Sequence, residues 1–244
     1  MESRPSLRGR EGQAFETTVV SSRRLTPTAH GIVLKKPSGF SFRPVQFTFL
    51  ALETDEGWSV RPMSLASSPT RPDLEYGVRV SGSAFKRAFA SLRTGDPVRL
   101  HGPFGRFVLD EERPAVFLAG GIGITPLKGM AEYASDNALA IEVRLLYSNS
   151  DEEEISYRKE LEALERQNPR FRILHTLTGG GVAPGWDGLV GRIGKQQIQE
   201  VAQGLDSPVY YVCGKPEMVA GIVTALSELL VPEADIKLEL FRGY

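Results

Sequence analysis

Cysteine is nearly absent from this chain of 244 residues: Cys213 is the only one. A lone thiol excludes an internal disulfide framework, and neither a thiolate zinc site nor an iron–sulfur cluster can be built from it. Histidine is scarce too, and His30, His101 and His175 lie far apart, so no metal site is expected. No apolar run approaches the roughly 20 residues of a membrane span. The N-terminal MESRPSLRGREG lacks the apolar core of a signal peptide, so a soluble, cytoplasmic protein is expected. Excess charge is missing as well: 29 Lys/Arg against 30 Asp/Glu leaves a net of -1, which argues against a nucleic-acid binder. That balance conceals an asymmetry, because residues 1–112 carry 16 Lys/Arg and 12 Asp/Glu whereas 113–244 carry 13 and 18. A chance imbalance between two solvated surfaces accounts for it, and so does a basic docking face on the first half for an acidic partner.

What is present suffices for two cores. Hydrophobic residues make up 41% of the chain, and 25 glycines with 16 prolines are spread without repeat or low-complexity tract. The pattern changes near residue 113, so a mobile tail over 1–12, a domain over 13–112 and a second over 113–244 are expected. In the first domain, strands are expected at Phe15–Ser22, Gly31–Lys35, Gln46–Leu52, Trp58–Met63, Leu74–Val80 and Val98–His101, separated by turn-rich segments. Ala84–Leu92 interrupts them with apolar side chains at 85, 88, 89 and 92, a helical spacing. Together these predict an antiparallel Greek-key β-barrel with one inserted helix.

From Pro114 strands alternate with helices, the sign of a parallel sheet with crossover helices. Strands are expected at Ala115–Ala119, Ile141–Tyr147, Arg172–Thr176, Val209–Cys213 and Ile236–Leu240. Helices are expected at about Thr125–Ser135, Ile155–Gln167, Lys195–Gln203 and Pro216–Leu230. Ligands of such sheets bind beyond the carboxyl ends of the strands, so the loops after 119, 147, 176 and 213 should share a cleft.

The first of those loops follows the buried run Val116–Ala119 and contains Gly120, Gly121 and Gly123. Thr125 reads as a helix cap and Pro126 as a residue of the first helical position. Bare NH groups at a helix N-terminus, with no side chains in the way, suit a phosphate. Taken alone the spacing reads equally as a turn packing strand on helix, since Pro126 stands where a dinucleotide fingerprint has its third glycine. Two further clusters carry chemistry. Arg61, Met63 and Ser64 bring a guanidinium suited to phosphate, a soft apolar group and a hydroxyl within four residues. Gly82 and Ser83 precede the helix opened by Ala84 and Phe85, a second candidate phosphate site near Arg61.

Four motifs in order resemble the ferredoxin-NADP reductase superfamily of flavin oxidoreductases. Arg61-Pro62-Met63-Ser64 is similar to its R-x-Y-S flavin motif, with Met63 in place of tyrosine. Gly120-Gly121-Ile122-Gly123-Ile124-Thr125-Pro126 is similar to its nicotinamide-nucleotide loop, in which the proline belongs. Cys213-Gly214 through Met218 resembles C-G-x-x-x-M, and Glu239-Leu240-Phe241 resembles the terminal E-x-F/Y.

The resemblance implies a flavin barrel followed by a Rossmann-like nicotinamide domain, and a hydride passing from NAD(P)H to bound FAD, less readily FMN. Electrons would go on to a separate carrier such as a ferredoxin, flavodoxin or oxygenase component. A reductase of free flavin or ferric chelates, and a flavin-binding subunit without turnover, are the alternatives. By similarity Ser64, Cys213 and Glu239 would act at the reacting rings. Arg61, Pro62, Met63, Ser64 and the segment Gly82, Ser83, Ala84, Phe85 would hold the flavin, with Phe241 or Tyr244 covering its ring. Gly120, Gly121, Gly123, Ile124, Thr125, Pro126, Ser148, Asn149, Cys213, Gly214 and Met218 would hold the nicotinamide nucleotide. Ser148-Asn149-Ser150 offers no cation for a 2′-phosphate and is followed by Asp151 to Glu154, so NADH is the expected coenzyme. That acidic run also suits the N-terminus of the next helix.

Overall fold

In the computed structural model, residues 12–44, 46–179 and 184–241 are described. Period-2 patterning in the first half produces β1 (Gln13–Arg24), β2 (Ala29–Lys35), β3 (Phe47–Thr54), β4 (Gly57–Ser64), β5 (Asp73–Arg79) and β6 (Pro97–Phe104). They form one curled antiparallel sheet in the order β4-β3-β6-β1-β2-β5. Leu74, Tyr76 and Val78 of β5 face inward with Ile32, Leu34, Leu50, Val98 and Leu100, as strict alternation requires. Helix α1 (Ala84–Ser91) closes this core with Phe85 and Phe89. Each fully buried side chain of that kind contributes about 1.5–3 kcal/mol by leaving water.

The second half is a parallel sheet of β7 (Ala115–Gly120), β8 (Val143–Asn149), β9 (Phe171–Leu177), β10 (Leu189–Val190), β11 (Val209–Gly214) and β12 (Ile236–Leu240). Its order is β10-β9-β8-β7-β11-β12. Helices α2 (Ile124–Asp136), α3 (Arg158–Gln167), α4 (Lys195–Ala202) and α5 (Pro216–Glu228) accompany it. Both faces of β7 are covered, which is why Ala115 to Ala119 is a continuous apolar run: Ala115, Phe117 and Ala119 enter one core, Val116 and Leu118 the other. No helix among the described residues is long and apolar enough to cross a membrane.

Several local expectations need correction. Thr125 does not cap α2. A 3-10 turn over Gly121–Gly123 runs straight into the helix, so Thr125 is its second residue, buried, with its hydroxyl donating to the Ile122 carbonyl at 3.1 Å. Pro126 is accordingly the third helical residue, where its missing NH is still harmless because the first four NH groups have no intrahelical acceptor. Helix α3 starts at Arg158 rather than Ile155, because Tyr157 sits in the left-handed region at φ 60° and ends any earlier helical path. The acidic run therefore does not serve that helix's dipole. Glu152 pairs with Arg158, and Glu154 accepts the hydroxyls of Thr26 at 3.0 Å and Thr28 at 2.5 Å, across to the first half. The two-residue strand β10 has too little pattern to be foreseen.

Helix α2 is the element both halves share. Ten of its residues are buried, Lys128 and Glu132 among them, because one side packs on the parallel sheet and the other on the segment after β4. Ala29 and Ala66 of the first half belong to the same hydrophobic cluster as Leu127 and Met130.

Candidate active site

Three cavities bear on the expected site, two where the halves meet and one within the first half. The first, about 300 Å³, lies at the carboxyl ends of β7, β8 and β11 and is lined by Gly120, Gly121, Ser148, Asn149, Lys215 and Met218, among others. Gly121 has φ +51° and open space where a side chain would stand, which leaves its backbone accessible from the cleft. The Tyr147 hydroxyl donates to the Gly121 carbonyl at 2.9 Å and fixes the turn from below. Gly123 does a different job: a methyl there would stand 2.6 Å from the Cys213 carbonyl oxygen, so glycine lets the loop sit directly on β11. Asn149 is 4% exposed, and neither its Oδ1 nor its Nδ2 has a partner. An orphaned carboxamide in this wall is what a hydrogen-bonding ligand would complete.

The second cavity, about 390 Å³, lies between the two sheets. Its walls are Pro62, Met63 and Ser64 at the end of β4, Gly77 to Arg79 at the end of β5, Ile122 of the glycine turn, Thr125 at the start of α2, and Glu239 and Leu240 at the end of β12 with Phe241 just after it. Ser64 donates to Glu239 Oε1, and Oε2 is buried with no partner. Burial raises the Glu239 carboxyl to about 7 against the opposing effect of that hydrogen bond. Cys213, the register partner of Glu239 on β11, is fully buried and lines neither cavity. Its thiol is pushed well up, first by burial and then by the Glu239 charge.

The third cavity, about 460 Å³, is lined by Trp58, Ser59, Arg61, Gly82, Ser83, Ala84 and Phe85, among others. Ser83 caps α1 by accepting from the Lys86 NH at 3.3 Å, and the Arg61 guanidinium lies 6.0 Å over the Phe85 ring. The structure thus brings Arg61 to the α1 N-terminus, and separates both from Ser64 and Glu239 by the length of β4's end.

Of the remaining expected residues, Thr125 faces the second cavity rather than the cleft, and Gly123, Ile124, Pro126 and Gly214 line neither. Met218 packs its sulfur against Gly120 and Gly214 and closes the cleft floor. Tyr244 lies outside the described residues. Arg79 escaped the sequence reading. It lines both the cleft and the cavity between the sheets, and its charge, after burial, lowers the pKa of Lys86 in the same wall. Alternation along β5 placed Arg79 at a strand end, but nothing local says what that end faces.

A curled antiparallel sheet meeting a parallel α/β sheet, with one cavity at their junction and another at the strand ends beside it, defines the class of two-domain NAD(P)H-dependent flavoprotein reductases. The model of the oxidoreductase NAD-binding domain matches residues 117–224. Ferredoxin–NADP reductase B of Sorangium cellulosum is 32% identical over 244 residues, which covers 95% of this chain and 99% of that one. The chain belongs to the ferredoxin–NADP reductase family. The phenol hydroxylase P5 protein of Acinetobacter pittii is 26% identical over 242 residues, 97% of this chain and 68% of that one. A ferredoxin NADP+ reductase from Neisseria gonorrhoeae, solved with bound FAD and NADP, has the same fold, with a TM-score of 0.80 at 22% identity over 94% of this chain and 99% of that one.

Proposed function

We propose that this protein oxidises NADH with FAD held between its two sheets and hands the electrons to a separate carrier. The observation that carries the reading is that the cleft and the inter-sheet cavity adjoin, sharing Arg79 and Ile122 in their walls. Bound FAD would supply a two-electron acceptor for hydride and release electrons to the carrier. The chain's own residues divide the remaining work, with the flavin held mainly by residues 13–112 and the nucleotide by 113–244. Arg61 and the NH groups opening α1 would bind the FAD pyrophosphate, and the cavity running on to Trp58 leaves room for an adenosine, which favours FAD over FMN. Met63 and Phe241 would pack on the two ends of the flavin ring, with Ser64 and Glu239 as its polar neighbours. Near neutral pH Glu239 exchanges a proton readily, so it can hold or give up one beside the ring. Cys213, buried opposite Glu239 in the β11–β12 pairing, would act on the site only through that neighbour.

Gly120, Gly121 and the Asn149 carboxamide would hold the nicotinamide nucleotide, with Arg79 and Lys215 supplying positive charge for its pyrophosphate. Glu154 enters the same wall beside Ser148 and Ser150, and a carboxylate with hydroxyls fits a ribose diol better than a 2′-phosphate. That supports NADH, although the Sorangium relative is named for NADP. Comparing kcat/KM for the two coenzymes tests the choice, and a preference for NADPH rejects it. The functional reading itself fails if purified protein carries flavin that neither coenzyme bleaches. The carrier is a ferredoxin or an oxygenase component that docks on the basic first half. A rate with such an acceptor that ignores ionic strength removes that docking face.

A further inference from the structure

Away from these three cavities, the junction of the two halves contains a buried ion cluster whose carboxylates Glu75 and Glu132 border a separate surface cavity of about 410 Å³. Lys128 of α2 is 2% exposed, and its Nζ donates to Glu75 Oε2 at 2.9 Å, Glu132 Oε1 at 2.7 Å and the Ala66 carbonyl at 3.3 Å. Glu75 belongs to β5 and Ala66 to the segment after β4, so one ammonium ties α2 to two pieces of the first half. The carboxylates are held in turn: Arg23 reaches Glu75 at 3.1 Å, the Ser68 NH donates to Glu132 at 3.0 Å, and Arg71 lies 3.7 Å from Glu132. Tyr157 completes the cluster, with Lys128 Nζ 5.1 Å and the Arg23 guanidinium 5.8 Å from its ring centroid. Burial works to lower the Lys128 pKa, but the two carboxylates more than offset it, so the ammonium stays charged.

A buried pair of this kind adds little net stability over an apolar replacement, so its stability value is a weak reason for its presence. Its location supplies a better one. Thr125 is one helical turn before Lys128 and Gly77 is two residues after Glu75, so each pair shares a face of its element. Thr125 and Gly77 meet in the lining of the inter-sheet cavity, one from α2 and the other from β5. They stand so close that a methyl on Gly77 would be 3.1 Å from Thr125 Cγ2, 3.2 Å from Ile122 Cδ1 and 2.7 Å from the Tyr157 hydroxyl. The Lys128–Glu75 contact and the Thr125–Gly77 contact are therefore successive rungs of one interface, the first ionic and the second van der Waals.

We propose that Lys128 is a positioning residue for hydride transfer: its ammonium, clamped between Glu75 of β5 and Glu132 of α2, fixes the spacing of the two cavity walls and thereby the approach of nicotinamide to flavin. This rests on the assignment of the inter-sheet cavity to the flavin. The clamp acts on rate, because the groups that bind each cofactor lie elsewhere.

The test uses holoenzyme variants and three readouts: flavin content, the limiting rate of anaerobic flavin reduction, and the apparent Kd for NADH from the concentration dependence of that rate. Lys128→Met should keep its flavin and change the apparent Kd less than about threefold, while the limiting rate falls about 10–100-fold, as a displacement near 1 Å entails. Lys128→Arg, which keeps the charge, should recover most of the rate. Lys128→Met combined with Glu75→Gln and Glu132→Gln removes the stranded carboxylates, and should melt near the parent temperature yet stay slow. Gly77→Ala presses on Thr125, Ile122 and the Tyr157 hydroxyl while leaving every charge of the cluster in place, and should reproduce the loss even if the Lys128 variants do not fold. Flavin-replete Lys128→Met, triple-variant or Gly77→Ala protein that reduces at the parent rate overturns the proposal, as does a rate lost only in proportion to flavin. Parent protein that binds no flavin, or whose flavin neither NADH nor NADPH reduces, overturns the underlying functional reading and the proposal with it.

Discussion

Alanine at Gly123 is the sharpest probe of how the nucleotide loop is held. Its new methyl would lie 2.6 Å from the Cys213 carbonyl oxygen, 2.8 Å from the carbonyl carbon and 2.9 Å from Gly214 Cα. All three are backbone atoms of β11, which is hydrogen-bonded to β7 on one side and β12 on the other, so none can swing away. The backbone of Gly123 itself suits alanine, with φ -61°. Ordinary contact is about 3.5 Å, so the loop must rise by roughly 0.5–1 Å. Overpacking of that size costs about 1–3 kcal/mol in stability. The loop carries Ile122, and the first turn of α2 directly after it carries Thr125, in the wall of the inter-sheet cavity, so hydride transfer should slow by up to about a hundredfold. Gly121→Ala is the contrast. Nothing lies within 4 Å of its methyl, and φ +51° makes alanine strained by about 1–2 kcal/mol. The methyl occupies the accessible backbone of the cleft, so NADH affinity should fall about tenfold, equivalent to about 1.4 kcal/mol, with flavin content unchanged. Stopped-flow reduction over a range of NADH concentrations separates rate from affinity. Gly123→Ala protein that melts and reduces like the parent would refute the packing argument. So would Gly121→Ala protein whose defect is loss of flavin.

Four further variants test the remaining assignments. Arg61→Ala should release FAD, with affinity down by about 2–3 kcal/mol for a lost charged contact, and purification with full flavin content would return Arg61 to the status of a surface residue. Cys213→Ala should slow flavin reduction several-fold with flavin retained; a folded variant with an unchanged rate leaves Cys213 a packing group alone. The pH dependence of stability splits into two opposed limbs. Burial raises Glu239 from the usual 4.5 to about 7, so its contribution is full below 4.5 and is lost as pH rises through 7. Burial lowers His175 from 6.5 to about 4, so its contribution is full above 6.5 and is lost as pH falls through 4. Each limb is worth about 2 kcal/mol after allowing for partial solvent access, and between pH 4.5 and 6.5 they oppose each other. Glu239→Gln should therefore melt higher as pH rises over that window, and His175→Phe should melt lower; melting curves that keep the parent's pH dependence in both variants contradict the two shifts.

Repeat and run length are local properties, and the sequence by itself determined whatever depends on them. Alternation in Leu74–Val80 and the spacing 85, 88, 89 and 92 fixed a strand and a helix because side-chain direction repeats within a few residues. The unbroken run Val116–Ala119 marked a strand covered on both faces, and the order of four short motifs marked the family. Local reading failed where the backbone departs from its period, as at Tyr157, or where a turn merges with a helix, as at Thr125. Tertiary structure alone decided which side chains meet. Ser64 and Glu239 are 175 residues apart in sequence and share a hydrogen bond. Arg79 stands in two cavities because two sheets converge there. Lys128 and Glu132, four residues apart, have the spacing of an ordinary solvated ion pair. Only the packing of α2 between the halves removes them from water and brings Glu75 to the same ammonium. Burial and the partners of a charge are set by segments that cross from far along the chain, and no local period carries that information.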